Sequence, residues 1–184
     1  MSSTAVIVLI VVVVVIIVAA AALIARPIMR RRRLKETFGS EYDRAVEDSG
    51  DERGAQEELQ RRERRHQEIT LNPLSGDHRA RYLRDWSMVQ EDFVDSPKDA
   101  VDRADRLIGE VMRDRGYPAG DFDQQAADLS VEHADVLGHY RTAHAISQRS
   151  SDDPASTEDL RAAMVHYRTL FEELVDHASS ERSR

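Results

Sequence analysis

Apolar positions fall into three regimes along this chain. Every residue from Ala5 to Ala25 is apolar, and Val6 to Val18 is an unbroken run of Val, Ile and Leu. Between residues 36 and 70 apolar side chains are scattered, and after Asn72-Pro73 they recur at helical spacing. A helix over the first run, at about 1.5 Å per residue, reaches about 31 Å, the hydrocarbon thickness of a bilayer. A β-branched run favours strands in water, but an open strand edge finds no hydrogen-bond partner in lipid, so the segment is expected to be helical. A buried core helix of this length would need a far larger domain around it. The pattern predicts one N-terminal transmembrane helix.

The third regime predicts amphipathic helices with readable ends. Tyr82, Trp86, Val89 and Phe93 recur at i, i+4, i+7 and i+11, which predicts a helix over Ser75 to Val94 with those four on one face. Ser96-Pro97 marks the next start, with Ser as cap and Pro at the first helical position. That helix should bury Val101, Ala104, Ile108 and Val111 and stop at Gly116-Tyr117-Pro118. A short helix around Phe122, Ala126 and Leu129 should lead into a third long one ending near Arg149. Its inner face is expected to be Val136, Tyr140, Ala143 and Ser147, flanked by Leu137 and His144. Ser156 or Thr157 caps the last helix, whose stripe is Leu160, Met164, Tyr167, Phe171 and Leu174. No segment alternates with period two over a useful length. The fold class is therefore all-α, with an antiparallel bundle of about four helices over residues 71 to 178 and a disordered tail over 179 to 184.

Residues 36 to 70 carry eleven acids and six arginines, and from Ala55 to Ile69 the chain is made of good helix formers. Glu57 with Arg61 and Glu58 with Arg62 stand four apart, as stabilising helix-surface pairs do. Only Leu59 and Ile69 offer seam positions, too few for a coiled coil. The expectation is a solvated, charged juxtamembrane stalk.

Charge sets the orientation. Residues 1 to 35 hold six basic side chains, Arg26, Arg30, Arg31, Arg32, Arg33 and Lys35, and no acid, whereas residues 36 to 184 hold 20 basic against 34 acidic ones. The basic cluster directly follows the apolar run, and Met1 to Thr4 has no basic residue. Because Lys and Arg stay on the cytoplasmic side, residues 1 to 35 read as an anchor with its N-terminus outside and the remainder in the cytoplasm. The alternative is an exported, envelope-facing domain, with Ala20 to Ala25 read as a cleavage region. The arginines also suit anionic headgroups in the bilayer. Ala21 and Ala25 form one small-xxx-small pair, a basis for weak homo-oligomers. The acidic balance of the remainder excludes a typical nucleic-acid binder, which needs a net positive face. The absence of Cys excludes disulfides, thiol catalysis and Cys-ligated zinc.

Five of the seven histidines, His133, His139, His144, His166 and His177, fall in the last two long helices. Glu132, Asp135 and His139 share one helix edge, but a bundle metal centre needs Glu-x-x-His on two helices, and only Glu63-x-x-His66 has that spacing. His139-Tyr140-Arg141-Thr142 repeats as His166-Tyr167-Arg168-Thr169. The repeat reads as a duplicated site or, better, as two facing helices that share one core. No phosphate-binding glycine loop, nucleophile elbow or His-Glu-x-x-His occurs. No catalytic, cofactor-binding or metal-binding residue is assigned, and the chain is not expected to be an enzyme.

The order of apolar anchor, arginine cluster, WSMVQEDFVDSP, RGYP, GHYRTAHAI and STEDLRAAMVHYRTLFEEL resembles a family of small actinobacterial membrane-anchored or secreted helical proteins of no known activity. The resemblance covers most of the chain and carries over no site residue. The expectation is a single-pass anchored module, without cofactor, whose acidic bundle binds a protein partner.

Overall fold

The computed structural model describes residues 12–14, 16–17, 26, 28–149 and 153–180, with side chains as far as 176. Most of the expected span (5–25) lies outside these residues, as does the expected tail (179–184) apart from residues 179 and 180. Among the described residues no helix is long and apolar enough to cross a membrane. A helical stretch over 28–38 leads into α1 (Ser40–Ser49), α2 (Glu52–Glu68), α3 (Gly76–Asp92), α4 (Pro97–Asp114), α5 (Phe122–Leu129), α6 (Ala134–Ser147) and α7 (Thr157–Ser180), with no strand among the described residues.

The all-α class holds, and the long amphipathic helices start and stop close to the expected positions. Asp51, Ser75 and Asp121 accept hydrogen bonds from the amides that open α2, α3 and α5. At α7, Ser156 Oγ accepts from the Asp159 amide at 3.1 Å while Asp159 Oδ2 accepts from the Ser156 amide at 3.0 Å, a reciprocal cap. Ser96 departs from expectation, because its side chain makes no capping bond at the start of α4. Pro97 at that end has no N–H to satisfy.

The main core joins α3, α4, α6 and α7. Helix α7 packs chiefly on α6 and α4, and α3 packs on α4. Every residue of the expected α4 and α7 stripes is buried. On α6 the buried face is Leu137, Tyr140, Ala143 and Ser147, with Val136 turned to its edge. Trp86 and Phe171 stack at 4.7 Å between ring centroids, tying α3 to α7. Tyr140 and Tyr167 meet edge-on at 6.2 Å.

Residues 36–70 are not a solvated stalk. Leu34, Phe38, Tyr42 and Ala45 form a buried stripe that closes against Ala55 and Leu59, so α1 and α2 are a packed hairpin with its own small core. Each helix alone shows too few apolar residues to signal burial. The stripe also begins before residue 36, within the basic flank, so a division at residue 35 splits it. The reversal uses Gly50, at φ 74, and then the Asp51 cap.

The hairpin docks on the bundle through Val131, which packs on its core, and through ion pairs between segments distant in sequence. Arg141 holds Glu41 with both ends of its guanidinium, at 3.2 and 2.9 Å. Arg65 meets Asp128 at 2.7 Å, and His66 meets Glu132 at 3.1 Å. Glu41 and Asp128 are almost fully buried, so both carboxylates depend on these partners. The connecting strand of chain is clasped by the end of α4, where the Asn72 amide donates to Arg115 O at 2.8 Å. Gly116 sits there at φ 96, and a Cβ at that position would lie 2.4 Å from Thr70 O, so only glycine fits.

Candidate functional site

The basic flank is exposed. Arg26, Arg30 and Arg32 are exposed, and Arg31 pairs with Glu52. Arg33 reaches Glu63 at 3.2 Å, and Lys35 lies 3.5 Å from Asp43 and 4.9 Å above the Tyr42 ring. The hairpin thus folds back along the flank and supplies acids to part of it. Arg30 and Arg33 also line an open cleft against α2.

The histidines disperse into separate environments. Among the described residues no three His, Asp or Glu side chains are placed to hold a metal ion. Glu63 and His66, the one pair with Glu-x-x-His spacing, face different partners, Arg33 and Glu132. Glu132, Asp135 and His139 do not converge either, since Glu132 is taken by His66 and His139 turns to His166. Hydrogen bonding to Glu132 raises His66 above the ordinary histidine range, and the same bond lowers Glu132. His133 is fully buried at the start of α6, 3.2 Å from Glu173 and 3.5 Å from the buried Arg115. Burial, followed by the Arg115 charge, pushes His133 below the ordinary value.

The His-Tyr-Arg-Thr repeat is a helix-pairing device. Because α6 and α7 run antiparallel, the two copies face one another: Tyr140 and Tyr167 enter the core while His139 and His166 meet at the surface with Nδ1 atoms 2.7 Å apart. One of these rings must donate and the other accept, so at least one is neutral. Tyr140 donates to Gln125 at 3.0 Å and Tyr167 to Asp105 at 2.9 Å, which satisfies both buried hydroxyls. His144 stacks on Phe122 at 3.7 Å and lies 3.7 Å from Asp105, placing it at the core edge.

A groove of about 210 Å³ opens at the core edge between the end of α3 and the outer face of α7. Phe93, Met164 and Val165 form its apolar floor, and Gln90, Arg161 and Arg168 its rim. Val165 is 60% exposed, and Val94, next to Phe93, is 82% exposed. Both arginines are turned toward acids on their own helix, Glu158 and Glu172, in exposed pairs that hold them weakly. Val165 was invisible in the sequence because it sits one position from the Met164 stripe. Val94 lies past the last turn of α3, where periodicity says nothing of exposure. Compared with known proteins, the chain matches no family model, no curated protein and no solved structure.

Proposed function

We propose that this chain is a single-pass membrane-anchored interaction module, without catalysis of its own, that displays an acidic helical bundle on the cytoplasmic side and docks a protein partner there. The 21-residue apolar run followed by Arg26 and Arg30 to Arg33 supports the anchor and its orientation. The observation that carries the docking role is the α3–α7 groove, where exposed Val165 adjoins the core edge at Phe93 and Met164 beneath a rim of two arginines, on an otherwise acidic chain. An apolar side chain flanked by carboxylates is the partner segment that such a groove fits, with the apolar anchor supplying affinity and the charges supplying register.

Two experiments on the full chain in cells test this reading. C-terminal fusions to a reporter active only in the cytoplasm and to one active only outside locate the bundle. Activity inside, with an unprocessed N-terminus, is expected, whereas activity outside or a cleaved N-terminus makes the protein an exported domain. A photocrosslinking residue at Val165 should give a discrete adduct that the same residue at Leu83, exposed on α3, does not. Equal labelling at both positions would remove the groove as the docking site.

A further inference from the structure

Between the helical stretch 28–38 and α2 lies an open cleft of about 320 Å³. It is lined by Arg30, Arg33 and Arg64 and by Gln60 and Gln67. The one carboxylate in the lining, Glu63, is engaged by Arg33 at 3.2 Å. Three cations thus stand against one acid in a chain whose overall charge is −8. Arg30 and Arg64 have no ion-pair partner among the described residues, although acids are plentiful along α2 and most of its other arginines are paired.

We propose that this cleft binds a phosphate group, presented by an anionic lipid headgroup or as free phosphate. Guanidinium groups offer planar, forked N–H donors that match phosphate oxygens, and the neutral amides of Gln60 and Gln67 add donors without adding repulsion. A flexible polybasic run attracts anionic surfaces without a defined site. Here α2 contributes Arg64, remote from the flank in sequence, and places it opposite Arg30 and Arg33. Arg64 plays no part in setting membrane orientation, so topology does not account for its place in the cleft. Only the lipid source rests on the anchored reading; the phosphate chemistry of the cleft does not.

The test is phosphorus NMR titration of the full chain in a phosphate-free detergent with short-chain phosphatidic acid, short-chain phosphatidylcholine and inorganic phosphate. Wild type, Arg64→Gln and Arg84→Gln are compared. Arg84 is an exposed arginine on α3, outside the cleft, so its variant controls for loss of one charge. Saturable phosphatidic acid binding, weakened about tenfold by Arg64→Gln and unchanged by Arg84→Gln, is expected. Inorganic phosphate binding as tightly, with the same dependence on Arg64, identifies free phosphate as the source and leaves the cleft assignment standing. If the anchored reading alone is wrong, the preference for the lipid disappears while Arg64-dependent phosphate binding remains. Equal weakening by both variants, or no saturable binding of either phosphate probe, overturns the proposal. Arg64 is exposed and makes no internal ion pair, so matching helicity and thermal midpoints for the variants exclude a folding defect.

Discussion

The α1–α2 hairpin closes over Leu34, Phe38, Tyr42, Ala45, Ala55 and Leu59, whereas the bundle closes over a continuous core that reaches from Leu74 to Val175. The two regions are held differently as a result. Stacked and edge-on aromatic rings and long aliphatic stripes join the bundle helices, with hydroxyls satisfied at the margin. The small hairpin core meets the bundle through one apolar side chain, Val131, and three directional contacts, Glu41 with Arg141, Asp128 with Arg65 and Glu132 with His66. Apolar burial is non-directional and scales with area, so a large core holds its own helices together. Buried ion pairs add little net stability, but they penalise every misaligned arrangement that strands a charge. Charge does more to locate the hairpin on the bundle, and packing does more to join the bundle helices.

The largest effect should come from the bundle core. Phe171→Ala removes the ring stacked on Trp86 at a fully buried site and should cost about 3–5 kcal/mol in urea unfolding. The hairpin should lose its protection along with the bundle, since its docking partners unfold. Leu59→Ala should cost about 2–5 kcal/mol, felt locally. Hydrogen exchange should speed across residues 40–68 while α4 and α7 keep their protection. Equal acceleration in α7 would mean that the two regions unfold as one unit, which would end the distinction.

Glu41→Gln tests the charge lock itself. It leaves Arg141 without its bidentate partner and should weaken hairpin docking by about 1–3 kcal/mol. The shift should appear as faster exchange in α1 and α2 with an unchanged bundle midpoint.

The smallest effect should be with pH, and it runs in opposite directions in the two regions. His66 is raised by Glu132, so its contribution is fully present below the unfolded histidine value of about 6.5 and is lost as pH rises through its higher folded value. Glu132 is lowered, so its share is present above the unfolded carboxylate value and is lost as pH falls through its folded value. The clasp is therefore tightest at about pH 5 to 6.5. His133, lowered by burial and then by the charge of Arg115, with Glu173 and Glu132 opposing, favours the bundle above about pH 6.5. That contribution erodes as pH falls through its lowered folded value. Exchange corrected for its intrinsic pH dependence should show hairpin protection rising relative to the bundle between pH 8 and pH 6. A parallel change in both would remove the contrast.

Local pattern made the four long helices legible. Tyr82, Trp86 and Val89 are buried on α3 as their spacing requires, and Ser75, Asp121 and Ser156 cap where they stand. These features depend on neighbours within one or two turns, which the sequence displays directly. The hairpin core was not legible, because its stripe is shared between two helices and neither half is long enough to stand out. Of the candidate site residues, the basic flank could be read from charge alone, and the apolar run before it gave its expected role beside a membrane. The groove at Val165 and the cleft at Arg64 could not. Both depend on which faces remain exposed after packing.

The sequence by itself determined the four long bundle helices, most of their apolar faces, the Ser156 cap and the basic flank, since each follows from spacing or composition within a short window. Only the tertiary structure decided that Arg141 would answer Glu41 across a hundred positions, that His139 would meet His166 through their Nδ1 atoms, and that Arg64 would line one cleft with Arg30. Charged side chains on a helix surface have many partners of opposite sign at comparable spacing. Which pair forms is settled by how the apolar faces bring the helices together, a non-local outcome that no short window contains.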